Sequence, residues 1–150
     1  MTKAIRRRLA GSEGFTLIEL MVVVMIIAVL IAIAIPSFLG FRKSAQDRSA
    51  QSELRNVLLA EKAYWLENGV YTSTAAHITA LEPNAVINAA PASGVALSLN
   101  ANGSACMTRT ARSGNTFAIW ESSTAGTFYG RTNLTVCPAA APAGYTQGGW

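Results

Sequence analysis

Charge is scarce in this chain: 13% of its 150 residues are Asp, Glu, Lys or Arg, while 51% are hydrophobic, at the apolar end of globular composition. The single histidine, His77, and the two cysteines, Cys106 and Cys137, form no Cys-x-x-Cys or His-x-x-x-His spacing. A zinc site needs about four such ligands, so no metal and no cofactor is expected. Also missing are a nucleophile elbow, a phosphate-cradling glycine loop and paired carboxylates in a recognisable motif, so the chain does not read as an enzyme. Acids thin out along the sequence until only Glu121 lies beyond Glu82, which disfavours a calcium site built from clustered carboxylates. The net charge of +4 does not describe a general basic surface, because Lys3, Arg6, Arg7 and Arg8 all lie in the first fourteen residues. From Phe15 onward eight basic residues meet seven acidic ones. Arg109, Arg112 and Arg131 are scattered and read as solvated strand or loop positions, which leaves DNA binding unsupported.

What is present begins with one long apolar run. From Phe15 to Ile35 only Thr16 and Glu19 interrupt it, and at about 1.5 Å per residue it spans roughly 31 Å, enough for a bilayer core. Basic residues 3–8 precede it, where the positive-inside tendency keeps a chain cytoplasmic. Pro36 and Gly40 follow, two weak points in a helix, one lacking an amide hydrogen and the other an unconstrained backbone. Beyond them the pattern turns one-sided. Phe38, Phe41, Ala45, Leu54, Val57, Leu58, Tyr64 and Trp65 recur at helical intervals, while the charged residues, Glu53 and Glu61 among them, are assigned to the solvent side. Asn68-Gly69 reads as a left-handed stop. Residues 69–93 are Thr-, Ala-, Asn- and Pro-rich, a connector with a helical turn near Ala75 to Leu81.

Residues 94–150 alternate apolar and polar in short runs around Leu97, Cys106 to Thr110, Thr116 to Trp120 and Thr127 to Tyr129, with turn residues between them. They predict an antiparallel meander of about four strands, with one apolar face to be covered by the amphipathic half of the long helix. The final Ala-, Pro- and Gly-rich stretch reads as irregular and tied to the sheet through Cys137. Two cysteines beyond an export-type segment point to a Cys106–Cys137 disulfide. The fold class is therefore α+β, a long N-terminal helix packed on a small antiparallel sheet.

The most informative stretch is Gly14-Phe15-Thr16-Leu17-Ile18-Glu19 leading into Leu20-Met21-Val22-Val23-Val24. It resembles the type IV pilin and pseudopilin family: a basic leader, Gly before Phe, Glu five residues into the mature chain, and an unbroken apolar helix. Pro36 with Gly40, and Tyr64 to Tyr71 at the helix end, add to the likeness. The resemblance implies that a prepilin peptidase cuts between Gly14 and Phe15, that Phe15 is then N-methylated, and that copies polymerise into an extracellular pilus with the help of assembly machinery. Before assembly the subunit would reside in the inner or cytoplasmic membrane. The implied layout is leader 1–14, assembly helix 15–36, amphipathic half 37–68, connector 69–93 and sheet region 94–150.

Elementary energetics fits that signature. A carboxylate inside a hydrocarbon span costs about 2.5–3.5 kcal/mol mid-helix, less near the interface, so Glu19 calls for a cation. The ammonium released at Phe15 of a neighbouring copy would supply one, making axial register depend on leader removal. The resemblance also implies that the helix melts locally around Pro36 and Gly40 when subunits pack. Adhesion, motility and DNA uptake all remain open as roles. The alternatives are a pseudopilin of a type II-like secretion system, a secreted domain cut near Ala32-Ile33-Ala34, or a membrane-anchored surface domain that binds a partner without polymerising.

Overall fold

The computed structural model describes residues 14–150; the leader expected over residues 1–14 lies, apart from Gly14, outside the described residues. Two compact units divide the chain, residues 1–40 and 41–150. The described part of the first is helical from Leu17 onward. Helix α1 covers Leu17–Asn68 and runs through both Pro36 and Gly40 without interruption. A proline inside a helix removes one hydrogen bond and crowds the preceding turn, and here that loss is absorbed within a 52-residue helix. The helix stops where Gly69 takes φ +72° and returns its amide to the Trp65 carbonyl at 2.7 Å, the left-handed terminator that glycine adopts at little steric cost.

The second unit holds the rest of α1, the short helix α2 (Ala75–Leu81), and strands β1 (Ala96–Leu99), β2 (Ala105–Thr110), β3 (Thr116–Ser122) and β4 (Gly126–Gly130). The strands pair antiparallel in sequence order, as expected of hairpin-connected neighbours. The register opposes Met107 to both Leu97 and Ile119, and Ile119 to Tyr129. Side chains alternate across a strand, so Leu97, Met107, Phe117, Ile119 and Tyr129 share one face. Against them pack Ala50, Leu54, Val57, Leu58 and Ala60 of α1 together with Ile78 of α2. Phe38, Phe41 and Ala45 stay exposed, so the packed stripe of α1 begins later than the periodicity suggests.

The other face of the sheet is covered too, which corrects the expectation of a single buried face. Residues 131–150 fold back over it: Leu134, Ala141 and Tyr145 pack against Trp120 and Phe128 around the Cys106–Cys137 disulfide, whose Cα atoms are 5.4 Å apart. Two side chains lock this layer to the strands. The Trp120 indole donates to the Pro138 carbonyl at 3.0 Å, and Tyr145 lies so close over Gly130 that a Cβ there would enter its ring. The segment then pairs with the β4 edge, Tyr129 and Thr146 exchanging amide bonds at 2.8 and 3.0 Å. Covering an edge in this way blocks its pairing with foreign strands. Trp150 finally reaches the helix-side core, edge-on to Phe117 and Tyr129, with its indole donating to the Gly130 carbonyl at 2.9 Å. Low regularity concealed this layer, since its Pro- and Gly-rich composition carries no strand or helix period.

Replacing Cys106 and Cys137 with serine is expected to lower stability by roughly 3–4 kcal/mol, the chain-entropy value for a loop of about this length. Denaturant unfolding followed by the fluorescence of Trp120, which packs against the disulfide, measures it. An unchanged midpoint would mean that the aromatic and backbone contacts alone secure residues 131–150.

Candidate functional site

The start of α1 is a reciprocal cap. The Thr16 hydroxyl accepts the Glu19 amide at 3.2 Å, and the Glu19 carboxylate accepts the Thr16 amide at 2.9 Å and its hydroxyl at 2.7 Å. This is the Thr-x-x-Glu capping box, which satisfies amides that have no partner in a first helical turn. The Thr-x-x-Glu spacing is legible in the sequence, although the carboxylate stands inside an apolar run. One oxygen of Glu19, Oε2, takes both Thr16 bonds, so within the single chain the carboxylate already has partners and a cation is an additional one.

Beyond this cap, every large apolar side chain from Phe15 to Phe41 is exposed, Phe15 itself by 87%. Isolated soluble chains rarely show contiguous apolar patches above a few hundred Å². This run is long and apolar enough to cross a membrane. Ala28, Ala32 and Ala34 interrupt its bulk with small side chains that permit close helix approach. Gly14 and Phe15 lie just ahead of the cap in non-helical backbone, both exposed.

Residues 9–35 match the family model of the prokaryotic N-terminal methylation motif. Over 71 residues the chain is 39% identical to the type IV wide pilus major component PilA4 of Thermus thermophilus, covering 47% of this chain and 54% of that protein. It is 42% identical over 67 residues to the type IV major pilin protein PilA of Myxococcus xanthus, covering 45% and 30%. It is also 33% identical over 79 residues to the type II secretion system core protein G of Pectobacterium carotovorum, covering 53% and 51%. The chain thus spans about half or less of the length of these curated relatives. In part of its length the chain is similar both to type IV pilins and to a type II secretion system core protein.

The second unit contains a buried polar cluster that composition did not reveal. Glu61, assigned above to the solvent side of α1, is fully buried. Its Oε2 accepts the Thr72 amide at 3.1 Å, while Oε1 has no hydrogen-bond partner among the described residues. Glu121 projects from the same face of β3 as Ile119. Its Oε1 accepts the Tyr71 hydroxyl at 3.2 Å and lies 3.4 Å from the Lys62 ammonium, which also donates to Thr127 at 2.9 Å. The two carboxylates thereby fasten the segment just after the helix stop, Glu61 through the Thr72 backbone and Glu121 through the Tyr71 side chain. His77 extends the fastening, its Nδ1 2.9 Å from the Thr72 hydroxyl and its ring stacked on Tyr64. Arg109 is also corrected from a solvated position to a half-buried one. Its guanidinium holds Glu53 at 2.5 Å and donates to the Pro91 carbonyl at 2.9 Å. Among the described residues no group of three or more His, Cys, Asp or Glu could hold a metal ion.

Burial penalises the charged form of Glu61 and pushes its pKa up to about 7, against the opposing Thr72 amide. Burial first, and then the charges of Glu121 and Glu61, raise the Tyr71 phenol well above its ordinary value. A carboxyl whose folded pKa exceeds its unfolded one contributes stability that is complete below the unfolded value of 4.5 and is lost as pH rises through about 7. The domain is therefore expected to lose up to about 3 kcal/mol between pH 5 and pH 8. Glu61→Gln keeps an acceptor for Thr72 and should flatten this slope in a pH series of unfolding midpoints. An identical slope in the variant would assign the dependence elsewhere.

Proposed function

We propose that this chain is the precursor of a structural subunit of an extracellular type IV pilus, cut between Gly14 and Phe15 and polymerising through its apolar helix. The observation that carries the reading is the uncovered apolar surface from Phe15 to Phe41, headed by a capped carboxylate at Glu19. Such a surface requires lipid on every side before assembly and neighbouring copies afterwards. The partners of this reading are a prepilin peptidase, the pilus assembly machinery, the membrane and further copies of the chain. Glu19 pairs in it with the Phe15 ammonium of a neighbour. Local melting at Pro36 and Gly40 belongs to the packed state, since α1 is continuous in the single chain.

A second reading, a pseudopilin of a type II-like secretion system, is favoured by the likeness to core protein G of Pectobacterium carotovorum. Against it stands the scarcity of acids in residues 94–150. Pilus material sheared from cells and analysed by mass spectrometry separates these readings. A high-molecular-weight fraction whose subunit starts at methylated Phe15 supports the pilus. A start at Ile35, or an uncut leader, overturns it.

The roles of Glu19 can be separated because glutamine also completes a capping box. Glu19→Gln should preserve helix content and cleavage while reducing sheared filament at least tenfold, as measured by quantitative immunoblotting. Undiminished filament would leave the carboxylate as a helix cap alone.

A further inference from the structure

A cationic hollow lies within the second unit, where α1 passes the turn between β2 and β3. Its volume is about 400 Å³, and its lining includes Arg42, Gln46, Ser49, Glu53, Arg109 and Arg112. The α1 members recur at helical intervals and so occupy one face of that helix. Three guanidiniums meet one carboxylate, and that carboxylate, Glu53, is already held by Arg109. Arg42 and Arg112 are exposed and form no ion pair among the described residues. The other nearby acid, Asp47, is engaged by the Ser113 hydroxyl and the Asn115 amide of the same turn. The hollow therefore presents two uncommitted guanidiniums and polar side chains, a donor set suited to an oxyanion.

Chain length suggests which oxyanion. If Phe15 enters the hydrocarbon, a core of about 30 Å is crossed in about 20 residues and ends near Ile35. Arg42 follows seven residues later, roughly 10 Å further along a helix, within reach of the headgroup layer. Side chains on a helix lean toward its N-terminus, so Arg42 reaches back toward the phosphates, and long basic side chains extend to such interfaces. Resting on the proposed membrane-resident precursor, we infer that the Arg42–Arg112 hollow binds the phosphodiester headgroup of an anionic phospholipid and holds the unassembled subunit at the membrane surface.

The test uses the full chain reconstituted in vesicles of equal parts phosphatidylglycerol and phosphatidylethanolamine, with retained lipid identified by native mass spectrometry. Phosphatidylglycerol should be enriched severalfold over the bulk. Arg42→Gln with Arg112→Gln should return it to the bulk ratio, whereas Lys43→Gln with Arg48→Gln, the same charge change outside the hollow, should leave most of the enrichment. Bulk composition in the parent chain, equal loss in both double variants, or displacement by excess inorganic phosphate would each overturn the inference. So would loss of filament by Arg42→Gln with Arg112→Gln at an unchanged lipid ratio, which would assign the hollow to contact between copies. A chain that forms sheared filaments but retains lipid at the bulk ratio keeps the pilus reading and loses this one.

Discussion

An apolar helical surface with nothing of its own chain to cover it is the constraint on which the rest depends. Every large apolar side chain from Phe15 to Phe41 meets solvent in the single chain, and water cannot be its working environment. Lipid satisfies such a surface without specificity. In the proposed filament, packed copies would satisfy it with geometry, the small side chains of Ala28, Ala32 and Ala34 allowing close helix approach and Glu19 requiring a charge to be met. The capping box shows how the same carboxylate is kept in partnership meanwhile, through bonds entirely local to the first turn.

The second unit resolves the opposite problem, that of a small sheet with two apolar faces. Helix α1 closes one face with Leu54, Val57 and Leu58, and residues 131–150 close the other around the disulfide. A sheet buried on both sides leaves its edges as the remaining liability, and the Tyr129–Thr146 pairing covers one of them. Charge inside this layered structure sits where it ties separate elements together. Glu61 and Glu121 hold Thr72 and Tyr71 immediately after the helix stop, and Arg109 ties β2 to α1 through Glu53. The cost of that fastening is borne mainly by Glu61, whose burial favours the neutral acid.

The likeness reaches both a pilus component and a secretion-system core protein. The family model falls on residues 9–35, which include most of the uncovered apolar run. It ends at residue 35, well before the sheet region begins.

By itself the sequence determined the apolar run, the Gly14-Phe15 junction with Glu19, the four alternating strands and the cysteine pair, because each is expressed as a local period or a fixed spacing. Tertiary structure alone decided that Glu61 and Arg109 turn inward, that residues 131–150 form a third layer, and that Trp150 joins the core. Each of those outcomes depends on partners distant in sequence: Thr72 for Glu61, Glu53 for Arg109, Phe117 and Tyr129 for Trp150. A helical period marks which residues share a face, but not where along that face a neighbouring element begins or ends. A charged side chain can occupy the apolar side when a distant donor waits there, and only the folded chain brings that donor into place.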